Sequence, residues 1–420
     1  MILSGQMELG KSIQKDFPIF RHTARHDGAD LVYLDSAATS LKPAVVLDAM
    51  RAYYEEYSAN VHRGVYAWSE RATAEYERAR GSIARLIGAA RKEEIVFVRN
   101  ATEALNLLAA SYAGNFLREG EGILLTEMEH HANLVPWQEI ARKKNLRLFF
   151  LPFDGFGGEL VWERDTFIKF LKERNIRLVS LAHVSNVFGT INRVEEIAAL
   201  AHEAGAVIIT DAAQSVPHIP VDVQSIGADF AVFSGHKMLG PTGIGVLWGR
   251  YDLLEEMPPY QTGGEMIEDV MLDRATYQMP PLRFEAGTPD IAGAIGLGAA
   301  AEYLAGIGMK HVRAHEKELL IYAREKLSAV QGIEFLGPED IEKRSGVLSF
   351  VIDGIHPHDV GSFLDEQGIM IRVGDHCAKP LHKKLKIPAS CRISFHMYNT
   401  KEDIDRVADA LQKLVGLFQK

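Results

Sequence analysis

Between residues 90 and 250 the chain repeats one pattern: a short, almost continuously apolar run followed by a longer stretch of helical character. The apolar runs fall at 94–98 (EIVFV), 122–126 (GILLT), 146–153, 177–182 (RLVSLA), 206–210 (AVIIT) and 229–233 (DFAVF). Runs of about four to eight apolar residues without alternation suit strands covered on both faces. The stretches 102–117, 134–144, 166–174 and 194–204 read as the helices between them. Strand–helix alternation imposes right-handed crossovers, so the expected fold is α/β, with a mostly parallel sheet sandwiched by helices.

After residue 260 the rhythm changes. Residues 258–290 (PPYQTGG…RFEAGTPD) are rich in Pro, Gly and turn formers and read as an excursion away from the sheet. A long helical stretch at 291–330 follows, then a strand at 347–352, a helix at 357–367, a loop at 372–380, a strand near 392–395 and a closing helix at 401–418. That order suggests a smaller α+β domain. A length of 420 residues leaves room for two or three domains at about 150 residues each. The expected division is a large domain over 29–300 and a small one over 301–420, with the segment 1–28 attached to the small domain.

Composition narrows the function. The formal charge of −10, without a block of like charge, supplies no basic stripe for a phosphate backbone, so no nucleic-acid partner is expected. Two cysteines exclude a disulfide scaffold and suit a reducing compartment. No apolar run is long enough to span a bilayer, and the first residues lack an unbroken apolar signal core. A cytoplasmic protein without a membrane partner is expected.

Open parallel sheets bind ligands beyond the carboxyl ends of their strands. Here those ends read Arg99-Asn100-Ala101-Thr102, Glu127-Met128-Glu129-His130-His131, His183-Val184-Ser185-Asn186, Asp211-Ala212-Ala213-Gln214 and Ser234-Gly235-His236-Lys237. Polar caps on buried strands would explain any one of these, but not easily all five. Together they suit pyridoxal 5'-phosphate. Its aldehyde needs an amine, which Lys237 supplies. Its ring nitrogen needs a carboxylate to stay protonated, and Asp211 is the candidate. Its phosphate needs donors at a helix N-terminus, where Thr102 stands, with Ser234 and His236 flanking the lysine. His130 is the candidate to cover the ring face, and Gln214 to reach the phenolic oxygen.

The tracts YLDSAATS (33–40), NVHRGVY (60–66), MEHHANLVPW (128–137), HVSNVFGT (183–190), TDAAQS (210–215), FSGHKMLGPTGIGVLWG (233–249), RFEAGTP (283–289) and CRISFHMYNT (391–400) resemble the SUF-type cysteine desulfurases. These form part of the class V aminotransferase group of fold-type I pyridoxal phosphate enzymes. The resemblance runs from about residue 30 to the C-terminus. It implies that Cys377, in the loop RVGDHCAKP (372–380), is the nucleophile that takes sulfur from L-cysteine as a persulfide, leaving L-alanine. The sulfur would pass to an acceptor or scaffold protein for iron–sulfur cluster assembly. It also implies that Arg392 binds the substrate carboxylate with help from Asn186, Arg372 and His62, and that Arg63 lies near the site. The excursion containing Gln261 and Thr288 would cross a two-fold axis, so that Thr288 completes the phosphate site of the second copy in a homodimer. Selenocysteine lyase, or another pyridoxal-phosphate-dependent α,β-lyase or aminotransferase, is the alternative.

Two residues depart from the family's loop. Val373 and Asp375 stand where Thr and His are usual. A carboxylate two positions from the thiol should favour its protonated form, with His376 partly offsetting that. The loop's glycine suggests a mobile carrier for the thiol. Cys391 reads as structural, and His376, Cys377, His382 and Cys391 match no compact metal-ligand spacing, so no metal is expected. GLGAAA (296–301) follows no strand, so its small residues point to close helix packing rather than dinucleotide binding.

Overall fold

The computed structural model describes residues 9–21 and 31–418. Its centre is a seven-stranded sheet of β1 (Ile95–Val98), β2 (Gly122–Thr126), β3 (Arg147–Leu151), β4 (Ile176–Ala182), β5 (Val207–Asp211), β6 (Phe230–Ser234) and β7 (Gly245–Gly249). The strand order is β1-β7-β6-β5-β4-β2-β3. Only β7 runs antiparallel to its neighbours. It lies inside the tract GPTGIGVLWG and was not anticipated as a strand. The expectation that 146–153 is covered on both faces fails at β3, which is the sheet edge and leaves Phe150 42% exposed.

Side chains alternate across the sheet. Phe230 and Val232 point into one core with Leu105, Leu108 and Trp137, while Ala231 and Phe233 point into another with Tyr76, Ile83 and Leu304. Helices therefore cover both faces. The stretch 291–330 is two helices, Ile291–Ile307 and Met309–Leu327, bent by 75° at Gly308, whose φ of 88° stops the first helix. The small residues of 296–301 do what their size suggests: a Cβ on Gly298 would stand 2.5 Å from the Ala79 Cβ. Among the described residues no single helix is long and apolar enough to cross a membrane.

A second, antiparallel sheet has the order Ile333–Leu336, Val347–Ile352, Ser390–Ser394, Arg372–Gly374. It carries its own core of Leu348, Phe350, Ile393, Leu411 and Leu414. The loop expected at 372–380 thus begins as an edge strand. Near the N-terminus, Val32–Tyr33 pairs in parallel with Ile369–Met370, and Asp35 bridges to Ser394. This brings 32–35 across to the second sheet. Of the expected segment 1–28, residues 1–8 and 22–28 lie outside the described residues. The rest packs on the chain's C-terminal part, with the Gly10 N–H bonded to the Met397 carbonyl at 2.7 Å and Phe17 edge-on to Tyr398 at 4.9 Å. The excursion forms the hairpin Ile267–Val270 and Ala275–Tyr277, with Met271 and Leu272 exposed near its turn.

Candidate active site

The strand ends converge on a cavity of about 220 Å³ lined by Thr102, His130, Asn186, Asp211, Gln214, Ser234, His236 and Lys237, together with Arg372, His376, Cys377 and Arg392. The central sheet supplies the first group and the second sheet the other. Lys237 sits on the single turn Gly235–Lys237 that follows β6. That turn is tight: a Cβ on Gly235 would stand 2.9 Å from the Ile244 carbonyl oxygen. Burial pushes the Lys237 amine down from its usual value, which the Asp211 carboxylate partly offsets. Burial pushes Asp211 up in turn, against a bond from the Ala213 N–H to Oδ1 at 3.0 Å.

The helix that begins at Ala101 aims its N-terminus at the cavity. Asn100 caps it by accepting from the Glu103 N–H at 2.9 Å, and the Ala101 N–H donates to Ser234 Oγ at 2.9 Å. Gly245 starts β7 where a Cβ would lie 2.6 Å from the Asn100 Cα, so only glycine lets the strand pass the helix start. His130 is neutral, because burial pushes it down to about 3. Its Nδ1 accepts from the Ala132 N–H at 3.0 Å, which leaves the proton on Nε2. His236 is likewise pushed down by burial, to about 4.

Arg392 is almost wholly buried. Its Nη1 donates to the Asn186 carbonyl and its Nη2 to Asp35 Oδ1, both at 3.0 Å, while Nε has no partner among the described residues. Arg372 stands opposite Arg392 in register on the neighbouring strand. Two guanidinium groups so placed repel, and Asp35 supplies the compensating charge. Asp35 was not expected at the site. Its signal lay in the tract YLDSAATS.

Cys377 is half-buried, with Arg372 Nη2 4.0 Å from Sγ. The Asp375 carboxylate does not face the thiol alone, because its Oδ1 accepts the Cys377 N–H at 3.0 Å. His376 does not act as the expected offset. Its Nε2 pairs with Ser390 Oγ at 3.0 Å, and burial holds its ring well below the usual histidine range. The loop is pinned rather than free: Asn186 Nδ2 donates to the His376 carbonyl and the His131 N–H to the Cys377 carbonyl, both at 2.7 Å. Cys391 is buried in the second sheet, with its thiol pushed up by burial.

Three residues expected near the site lie apart from this cavity. His62 is exposed and edge-on to Tyr76 at 5.8 Å, and Arg63 pairs with Glu265 at 3.1 Å. Thr288 lines a separate cavity with Gln261, Arg99 and Glu103. His183 is buried beneath the strand ends and is not among the cavity residues.

The residues present fit pyridoxal 5'-phosphate. A buried Gln214 Oε1 and the Arg392 Nε are polar atoms without a partner among the described residues, and both residues line the cavity. Lys237, Asp211 and a helix N-terminus supply the amine, the carboxylate and the phosphate donors that the cofactor needs.

Residues 32–407 match the family model "Aminotransferase class-V". A Halalkalibacterium halodurans protein named "Probable cysteine desulfurase" is 49% identical over 406 residues, covering 97% of this chain and 98% of its own. A Haloferax volcanii protein named "Cysteine desulfurase" is 46% identical, covering 97% of each. The apo structure of a cysteine desulfurase from Thermococcus onnurineus superposes with a TM-score of 0.91 at 41% identity, covering 98% of this chain and 99% of that one. The chain belongs to the class-V aminotransferase family and, within it, to the cysteine desulfurases, enzymes that work with pyridoxal 5'-phosphate.

Proposed function

We propose that Cys377 is the thiol that takes sulfur from L-cysteine, that the resulting persulfide serves an acceptor or scaffold protein, and that the sulfur is used for iron–sulfur cluster assembly of the SUF type. The observation that carries this reading is the presence of Cys377 and Lys237 in one cavity, with the Arg372 guanidinium 4.0 Å from Sγ. The guanidinium donates toward Sγ and so holds the thiol at the cavity wall, facing the space that Lys237 also lines.

Bound at this cavity, the cofactor supplies an electron sink that stabilises negative charge on the substrate's Cα. Lys237, Asp211, Gln214, Thr102, Ser234 and His236 would hold it, and His130 would cover its face. The chain's own residues do the rest. Arg392 presents its Nε edge, which has no partner among the described residues, to the substrate carboxylate beside Asn186. The Lys237 amine, depressed by burial, accepts the Cα proton. The Cys377 thiolate then attacks the substrate sulfur. The new S–S bond forms as the carbon–sulfur bond breaks, and that bond's electrons stay with the carbon fragment, which gains protons to become alanine.

A homodimer would account for the roles assigned to residues outside the cavity. Tyr54, Val65, Trp68, Met271 and Leu272 are apolar side chains left exposed on this chain. Their burial against a second copy would bring Thr288 and His62 toward the neighbouring cavity. We assign the large domain to 29–300, save that 32–35 join the second sheet, and the small one to 301–420, with the described residues 9–21 of the segment 1–28 attached, in a cytoplasmic enzyme.

The test is incubation of the holoenzyme with L-cysteine, with alanine and protein-bound sulfane sulfur measured together. The two should appear in equal amounts in the first turnover, and a Lys237→Ala protein should yield neither. Pyruvate in place of alanine would replace this reading with an α,β-lyase.

A further inference from the structure

The two adjacent histidines at the end of β2 face different ways. His130 lines the cavity, whereas the His131 ring lies 6.3 Å away, tilted by 48°, and is not among the cavity residues. His131 instead holds both ends of the short turn that carries the thiol. Its N–H donates to the Cys377 carbonyl at 2.7 Å, and its Nε2 accepts the Lys379 N–H at 3.0 Å. Lys379 is the first residue of the helix Lys379–Leu385, so its N–H has no acceptor within that helix. The imidazole that satisfies it comes from 248 positions away in the chain.

The segment held in this way is strained. His376 and Cys377 have φ of 50° and 58°, in the left-handed region that side-chain-bearing residues rarely occupy. Such a conformation persists where the surroundings over-determine it. The His131 bonds cross from the central sheet to the second sheet's loop, so they tie the thiol to the element that also carries His130.

We propose that His131 is a positioning residue, which holds the Cys377 turn in register with the cavity that His130 lines. The adjacent histidines thus divide the work, one at the cofactor's place and one on the reactive loop. This rests on the reading of Cys377 as the sulfur-accepting thiol.

The test uses holoenzyme carrying His131→Ala or His131→Gln. Alanine keeps the backbone N–H but removes the acceptor for Lys379, and glutamine Oε1 reaches about as far as imidazole Nε2. In His131→Ala the cofactor absorbance should persist and KM for L-cysteine should stay within roughly twofold, while kcat falls roughly tenfold. Alkylation of resting Cys377 by iodoacetamide should quicken roughly fivefold as the turn opens, with buried Cys391 as the unreactive reference. His131→Gln should restore both values toward wild type. Unchanged alkylation and kcat in His131→Ala, a glutamine variant no better than alanine, or loss of the cofactor absorbance would each overturn the proposal. The alkylation rate reads the turn without turnover. Persulfide formation that survives in Cys377→Ala would therefore defeat the functional reading and leave the tether's test standing.

Discussion

Arg372 Nη2 lies 4.0 Å from the Sγ of Cys377, at the start of the edge strand that runs into the reactive turn. The guanidinium donates toward Sγ, a contact that holds the thiol at the wall of the cavity both residues line. Removing it in Arg372→Leu should lower kcat for alanine production from L-cysteine by roughly tenfold, with the cofactor absorbance retained. Arg372→Lys should retain part of the rate. An unchanged rate in Arg372→Leu would remove this residue from the thiol's positioning.

Asp35 and Arg392 are joined by a bond of 3.0 Å across 357 positions of sequence. Asp35 holds one edge of the guanidinium and balances the paired charges of Arg372 and Arg392. An Asp35→Asn protein keeps the shape but loses the charge. Its KM for L-cysteine should rise by roughly tenfold, with the cofactor absorbance retained. An unchanged KM would show that Arg392 needs no such support to hold the substrate.

His183 gives a pH signature of its own. Burial alone lowers its pKa from 6.5 to about 4. Between those values the unfolded chain binds a proton that the folded chain does not. The histidine's contribution to stability is therefore complete above pH 6.5 and is lost progressively as the pH falls toward 4. Chemical denaturation at pH 7 and pH 5 should give a stability loss that is about 2 kcal/mol smaller in His183→Gln than in wild type. Equal losses in the two proteins would contradict the buried, neutral state of this ring.

The central sheet was legible because its strands, the edge strand β3 apart, are buried on both faces and lack alternation, and the strand ends were legible because the parallel topology fixes where they point. Lys237, Asp211 and His130 followed from that rule alone. β7 escaped it, since its glycines and its place within the lysine tract hid a short antiparallel strand. The partner of His376 could not be read either. Ser390 is 14 residues further along and meets it only through the pairing of Gly374 with Ser390 in the second sheet. Asp35 illustrates the same limit. Its tract pointed to the family, but its charge found a purpose only once the N-terminal strand crossed to the sheet that bears Arg392.

The most direct test of the account is to map where sulfur is held after one turnover. Wild-type holoenzyme and a Cys377→Ala variant are treated with L-cysteine, capped with an alkylating agent, digested and analysed by mass spectrometry. The account predicts one added sulfur atom on the peptide carrying Cys377 in wild type, none on the peptide carrying Cys391, and no persulfide in the variant despite an intact cofactor absorbance. Sulfur on Cys391, or full alanine production with protein-bound sulfur in Cys377→Ala, would contradict it.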